Sequence, residues 1–137
     1  VRTAIDTNVL SALWSNEHSA ANLSQLLGER QSQGALLIAP VVYAELLAYP
    51  RATESYVDDF LSDTGITVDF EIGRAVWADA GRRFARYAAQ RRKSEFGEPK
   101  RLLADFLIGS HALLQADRLM SLDVNRYRQY FPELKLI

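Results

Sequence analysis

The sequence predicts an α/β fold, a single three-layer domain in which a central, mostly parallel sheet of four to five strands is flanked by helices. Three observations carry this reading. Short apolar, β-like runs alternate along the chain with segments of helical spacing. Strands that point the same way need long crossover connections, and helices fill the intervals here. The 137 residues contain no repeat, linker or shift of composition, so residues 1–137 form one domain around one core.

The elements follow in order. Arg2 to Ile5 is a short strand ending at Asp6, and TNVLSALW continues with helical spacing through Val9, Leu10, Leu13 and Trp14. Ser19 is placed to cap a second helix carrying Leu23, Leu26 and Leu27. Gly34 punctuates before ALLIA, which reads as a buried parallel strand. Pro40 then opens the helix VVYAELLAY, which Pro50 stops. A short helix is expected over Thr53 to Ser62, and ITVDF is a third strand. From Glu71 to about Lys93, Ile72, Ala75, Val76, Ala80, Phe84 and Ala88 line one face of a long helix. SEFGEP breaks the pattern. A helix from Lys100 or Arg101 to Ala116 follows, then LMSL as a fourth strand and LKLI as a possible fifth.

Composition narrows the classes. At 48% hydrophobic and 24% charged, with seven Gly and four Pro, the chain is neither disordered nor of low complexity. The absence of cysteine removes disulfides, thiol catalysis, iron–sulfur clusters and thiolate zinc sites, and fits a cytoplasmic protein. The longest apolar run, Ala35 to Ala44, contains Pro40 and is far short of a membrane span, and no signal-peptide pattern is visible. Sixteen basic residues oppose seventeen acids, a near-cancellation that argues at first against a nucleic-acid binder. The distribution says otherwise: nine basic residues face three acids between Arg74 and Arg101, and the acidic excess lies in the rest of the chain.

In open α/β sheets the ligand crevice lies beyond the carboxyl ends of the strands, so residues just after strands are the informative ones. Asp6 follows the first strand and Asp123 the fourth, on the same edge. Glu45 is the sole acid in VVYAELLAY, and its helical neighbours Val41, Val42, Ala48 and Tyr49 make an apolar stripe on which a carboxylate is costly unless partnered. Asp105 is the sole acid in LLADFLIGSHALL, with Gly109 one turn later on its face. Each acid also has a structural reading. Asp6 and Asp123 are placed to cap helices, Asp105 to complement a helix dipole, and Glu45 to pair with a buried Arg. One functional explanation covers all four: converging carboxylates repel one another unless a hard cation such as Mg²⁺ or Mn²⁺ is present, and such a site hydrolyses phosphodiesters.

AIDTNVLSALW, AELLAYP, ADFLIGSHALL and LMSLDVNRYRQYFPELKLI, taken in this order across essentially the whole chain, resemble the PIN-domain ribonucleases and, within them, the VapC-type toxins of toxin–antitoxin pairs. The resemblance implies an acidic quartet of Asp6, Glu45, Asp105 and Asp123, with Asp6 and Asp105 as direct Mg²⁺ ligands. Ser121 falls where the family places a small hydroxyl residue near the metal, and Thr7 and Asn8 belong to the first motif. It further implies endonucleolytic RNA cleavage leaving 5′-phosphate and 3′-hydroxyl ends, a homodimer, and inhibition by an antitoxin protein.

The basic stretch reads either as a phosphate-tracking flank or as a solvated helix face. Arg82, Arg86 and Lys93 approximate one face, with Tyr87 and Phe96 as flat neighbours, and Arg101 sits one turn before Asp105 as the candidate for touching RNA phosphate. His18 and His111 lack ligand or triad spacing and read as surface and partly buried histidines. Trp14, Tyr43, Tyr49 and Trp77 read as core or interface residues, and the apolar residues of the helices around Leu10 to Trp14 and Tyr49 to Leu61 read by default as core packing, with a groove for an antitoxin as the alternative. Two rivals stand beside the nuclease reading. One is a non-catalytic domain using its acids to bind a basic partner. The other is an Asp-nucleophile phosphatase, which needs a second Asp where this chain has Asn8.

Overall fold

The computed structural model describes residues 1–15, 20–94, 97 and 100–137, so the expectations for His18, Ser19 and Phe96 lie outside the described residues. The chain runs β1 (Thr3–Ile5), α1 (Thr7–Trp14), α2 (Ala20–Gln33), β2 (Leu36–Ile38), α3 (Pro40–Leu47), α4 (Glu54–Thr64), β3 (Ile66–Val68), α5 (Arg74–Lys93), α6 (Leu103–Gln115), β4 (Arg118–Met120) and α7 (Val124–Arg128). The four strands are all parallel in the order β3-β2-β1-β4, with Thr3 opposite both Leu36 and Arg118. β1, β2 and β4 are buried along their whole length, which is why they read as apolar runs rather than alternating ones.

The possible fifth strand shrinks to a single parallel bridge between Leu136 and Leu119 on the outer edge of β4. Phe131 and Leu134 are buried, and the Leu134 amide turns back to the Phe131 carbonyl at 3.1 Å. That inward turn lets only the residues after it reach the edge of β4.

Helix limits move where a local partner outweighs periodicity. α3 ends at Leu47 rather than Tyr49, because the residue before Pro50 is disfavoured in the helical region. The Thr53 hydroxyl accepts the Tyr56 amide at 3.1 Å to start α4, and Gly65, at φ 70°, ends it in the left-handed conformation that glycine adopts without a Cβ clash. α5 starts at Arg74 instead of Glu71. Asp69 is bound by His111 and Gln115, and the Gly73 amide donates to Gln115 Oε1 at 3.0 Å, which tethers residues 69–73 to α6 outside the helix. α6 starts at Leu103, so Arg101 precedes the helix and is not one turn before Asp105 on its face.

Helix α6 packs on β1 and β4 and along α5, and seven consecutive residues, Phe106–Ala112, are buried. At Gly109 an added Cβ would stand 2.5 Å from Phe131 Cζ, so the close approach of α6 to the C-terminal segment requires glycine. Arg83 ties α5 to the same segment: it bonds Asp79 at 2.9 Å, Glu133 at 2.7 Å and the Tyr130 carbonyl, and lies 4.5 Å over the Phe131 ring. Trp14 packs edge-on against Tyr49, Tyr56 and Phe60, and Tyr43 against Phe70. Trp77 is 53% exposed on α5, which removes the core half of its reading and leaves the interface half. Leu10 is fully buried and lines no groove. No helix among the described residues is long and apolar enough to cross a membrane.

Candidate active site

The site forms where β1 and β4 end. Asp6 is the first residue past β1, and its amide donates to the Met120 carbonyl at 2.9 Å. It occupies the N-cap position of α1 but makes no side-chain capping bond, so the capping account of this residue fails. Its carboxylate, in a residue only 2% exposed, accepts the Ser121 and Tyr127 hydroxyls, each at 2.8 Å and both on Oδ2. Neither hydroxyl engages Oδ1. Burial raises the Asp6 pKa, and the two hydroxyls and the positive charge of Arg126 offset only part of that rise.

Thr7, in the first turn of α1, donates its hydroxyl to Glu45 Oε1 at 2.7 Å. Glu45 is half-buried on α3. Its pKa is raised first by burial and then by the negative charges of Asp6 and Asp105, against the opposing Thr7 hydrogen bond. Asn8 donates to Ser121 Oγ at 3.3 Å and accepts the Leu122 amide at 3.1 Å, while Ser121 Oγ also accepts the Asp123 amide at 3.0 Å. The first motif and the Ser121 segment are thereby laced together.

Asp105 sits in the first turn of α6. Its Oδ2 accepts the Leu102 amide at 3.2 Å, which is half of a capping box, since Leu102 has no side-chain acceptor to supply the other half. Its Oδ1 is 3.3 Å from Arg126 Nη1. Asp123 does not directly follow β4. Ser121 does, because the strand ends at Met120. Asp123 instead caps α7, accepting the Arg126 amide at 3.3 Å on Oδ1, and its Oδ2 faces Arg126 Nε at 3.3 Å. The capping account thus applies to Asp123, while Asp105, in the first turn where it complements the helix dipole, also caps the Leu102 amide.

Two residues of the site were not singled out from the sequence, Arg126 and Tyr127. Arg126 carries the positive charge felt by Asp6, Glu45, Asp105 and Asp123 together. Among the described residues no three acids are placed to enclose a metal ion. The donor chemistry nevertheless fits a hard divalent cation, because Mg²⁺ takes one or two carboxylates and keeps waters for its other positions. Asp6, with Oδ1 outside its hydroxyl bonds, and Asp105 supply such oxygens.

The basic candidates divide. Arg86 and Lys93 are exposed on α5, and Arg82 is exposed at 3.8 Å from Asp79. Arg101 is half-buried, with its guanidinium 5.9 Å over the Tyr130 ring, its amide donating to the Tyr87 hydroxyl and its Nε buried without a partner. Tyr87 is buried and offers no stacking surface to RNA. His111 is buried on α6, with Nε2 3.0 Å from Asp69, as a hydrogen-bonded core histidine.

The PIN domain profile matches residues 3–131. No curated protein gives a significant match. Among solved structures, VapBC2 from Rickettsia felis bound to a DNA fragment from its promoter superposes with a TM-score of 0.70 at 20% identity, over 100% of this chain and 98% of that one. VapBC-1 from nontypeable Haemophilus influenzae gives 0.68 at 20% identity, over 100% and 97%. At that identity the structural likeness speaks for the fold, and the profile match over nearly the whole length decides the family: this chain belongs to the PIN-domain family.

Proposed function

We propose that this protein is a Mg²⁺-dependent endoribonuclease, with Mn²⁺ as a possible substitute, acting as the toxin of a toxin–antitoxin pair. What supports the catalytic part is that Asp6 directly follows β1, its neighbour Thr7 holds Glu45, and Arg126, beside Asp6, reaches Asp105, so the three acids come from distant segments to the same strand ends. The toxin part rests on the family together with the two VapBC structural neighbours. By the same likeness one partner is an antitoxin, and the motif resemblance adds a second copy of this chain.

Asp6 and Asp105 are the residues that would hold the metal. When bound, a divalent cation supplies charge neutralisation and polarises the phosphoryl oxygen of the substrate. The chain's own groups do the rest. Glu45, fixed through Oε1 by Thr7, offers Oε2 to take a proton from the attacking water, and its raised pKa brings it closer to the range in which a carboxylate works as a general base near neutral pH. Ser121 and Tyr127 hold Asp6 in one orientation, and Asp123 positions α7. Arg86 and Lys93 are exposed cations suited to tracking RNA phosphates.

The test is cleavage of RNA by the wild type and Asp6→Ala with Mg²⁺ or Mn²⁺, with and without chelator. Cleavage confined to the wild type and abolished by chelation is expected. Equal, chelator-insensitive activity in both proteins refutes the mechanism.

A further inference from the structure

Among the described residues, Arg83 and Arg126 each pair with two acids, and they are built differently. The Arg83 side chain is 11% exposed, with pairs at 2.9 and 2.7 Å and an aromatic ring beneath it. The Arg126 side chain is 37% exposed, and both of its pairs, to Asp105 and Asp123, are stretched to 3.3 Å. Charge-assisted N–H···O bonds normally close to about 2.7–2.9 Å. The first geometry is that of a fixed structural clamp. The second is that of a cation shared loosely among more carboxylates than it can satisfy, with Asp6 and Glu45 also pulling on it.

We infer that Arg126 is the intrachain counter-ion of the carboxylate site and exchanges with the divalent cation there. This rests on the metal-binding reading above. In the metal-free chain the guanidinium lowers the mutual repulsion of the acids. A metal at Asp105 Oδ1 meets Arg126 Nη1 at the same oxygen, and the repulsion between the two cations makes them compete for one carboxylate, each weakening the other's hold. Partial exposure lets the displaced side chain swing toward solvent without opening the core. Asp123, still bound to the Arg126 amide as the cap of α7, retains the segment while the side chain moves.

The test is Mn²⁺ binding to wild type and Arg126→Gln by calorimetry, with thermal melting of the metal-free proteins alongside. Removing the competitor is expected to tighten Mn²⁺ binding about three- to tenfold, the scale of two partly exposed ion pairs. The metal-free variant is expected to melt lower, because its acids lose their neutralising charge. Should Arg126→Gln fail to fold, Arg126→Lys keeps the charge but cannot span two carboxylates, and is expected to bind Mn²⁺ more tightly than the wild type. In the wild type, the Arg126 Nε–H resonance is expected to shift in step with Mg²⁺ saturation. If the wild type binds Mn²⁺ and the variants bind no more tightly, or if the resonance does not move, the exchange is overturned while the metal site stands. If the wild type binds no divalent cation, the metal-binding reading falls and the exchange with it.

Discussion

Tyr127 donates its hydroxyl to Asp6 Oδ2 at 2.8 Å, joining residues 121 positions apart in sequence. Burial and the neighbouring Asp6 charge push the tyrosine pKa upward, so the hydroxyl keeps its proton and acts as a permanent donor. Tyr127→Phe keeps the ring against Phe131 and removes only that donor. The expected cost is about 1–2 kcal/mol of stability, measurable by urea denaturation. RNA cleavage is expected to fall as well, because Asp6 loses one of the two bonds that fix its plane.

The raised pKa values of Asp6 and Glu45 set a sign for the pH dependence of the metal-free protein. An acid whose folded pKa exceeds its unfolded value favours folding most when protonated, and that contribution is lost as pH rises through the folded value. Asp6→Asn and Glu45→Gln are therefore expected to raise the Tm of the metal-free chain at pH 7 and to bring little gain at pH 4. An equal gain at both pH values would show that the two carboxylates are not strained in the fold. Asp6→Asn is also expected to abolish the rise in Tm on adding Mg²⁺.

His111 acts in the opposite direction. Burial holds its pKa below the ordinary histidine value despite the Asp69 partner, so the neutral ring is the folded form. Its contribution is complete above the unfolded histidine pKa and is lost as pH falls through the lower folded one. His111→Gln can still donate to Asp69, while it carries no titrating group. The variant is expected to lose less stability than the wild type between pH 7 and pH 5, and parallel melting curves would contradict this.

The legible part of the site was written in places where a carboxylate had no cheap explanation. Glu45 stands alone on an apolar stripe and Asp6 reads as the residue directly past the first strand, where the structure has it, whereas Ser121, which directly follows β4, reads from the sequence as part of that strand and enters only through the family resemblance. Asp123 reads from the sequence as the residue directly after the fourth strand, but its position three residues beyond Met120 turns it into a cap and a hold on Arg126. Arg126 and Tyr127 escaped notice because α7 is five residues long, too short for periodicity to separate an inward from an outward face. The spacing of Arg126 three residues after Asp123 was a signal, but it is indistinguishable in sequence from an ordinary surface pair. Arg101 is misplaced for a related reason: the start of α6 is set by the Asp105 bond to the Leu102 amide, two or three residues later than the apolar spacing suggests.

Gly109 links packing to the site. It lies one turn past Asp105 on α6, with Phe131 pressed against its Cα face so closely that a Cβ would fall 2.5 Å from Cζ. Gly109→Ala gains helix propensity, yet it must push α6 away from Phe131 or rotate a buried ring. The expected net result is a loss of up to about 2 kcal/mol in urea denaturation, since overpacking costs about 1–3 kcal/mol and the propensity gain returns about 1 kcal/mol. Shifting α6 also shifts Asp105, so Mg²⁺-dependent stabilisation is expected to weaken although Gly109 touches no carboxylate. Trimming the ring in Gly109→Ala/Phe131→Leu relieves the clash, and the double variant is expected to lose less than the sum of the two single changes. Simple additivity would mean that the contact between Gly109 and Phe131 does not set the position of α6.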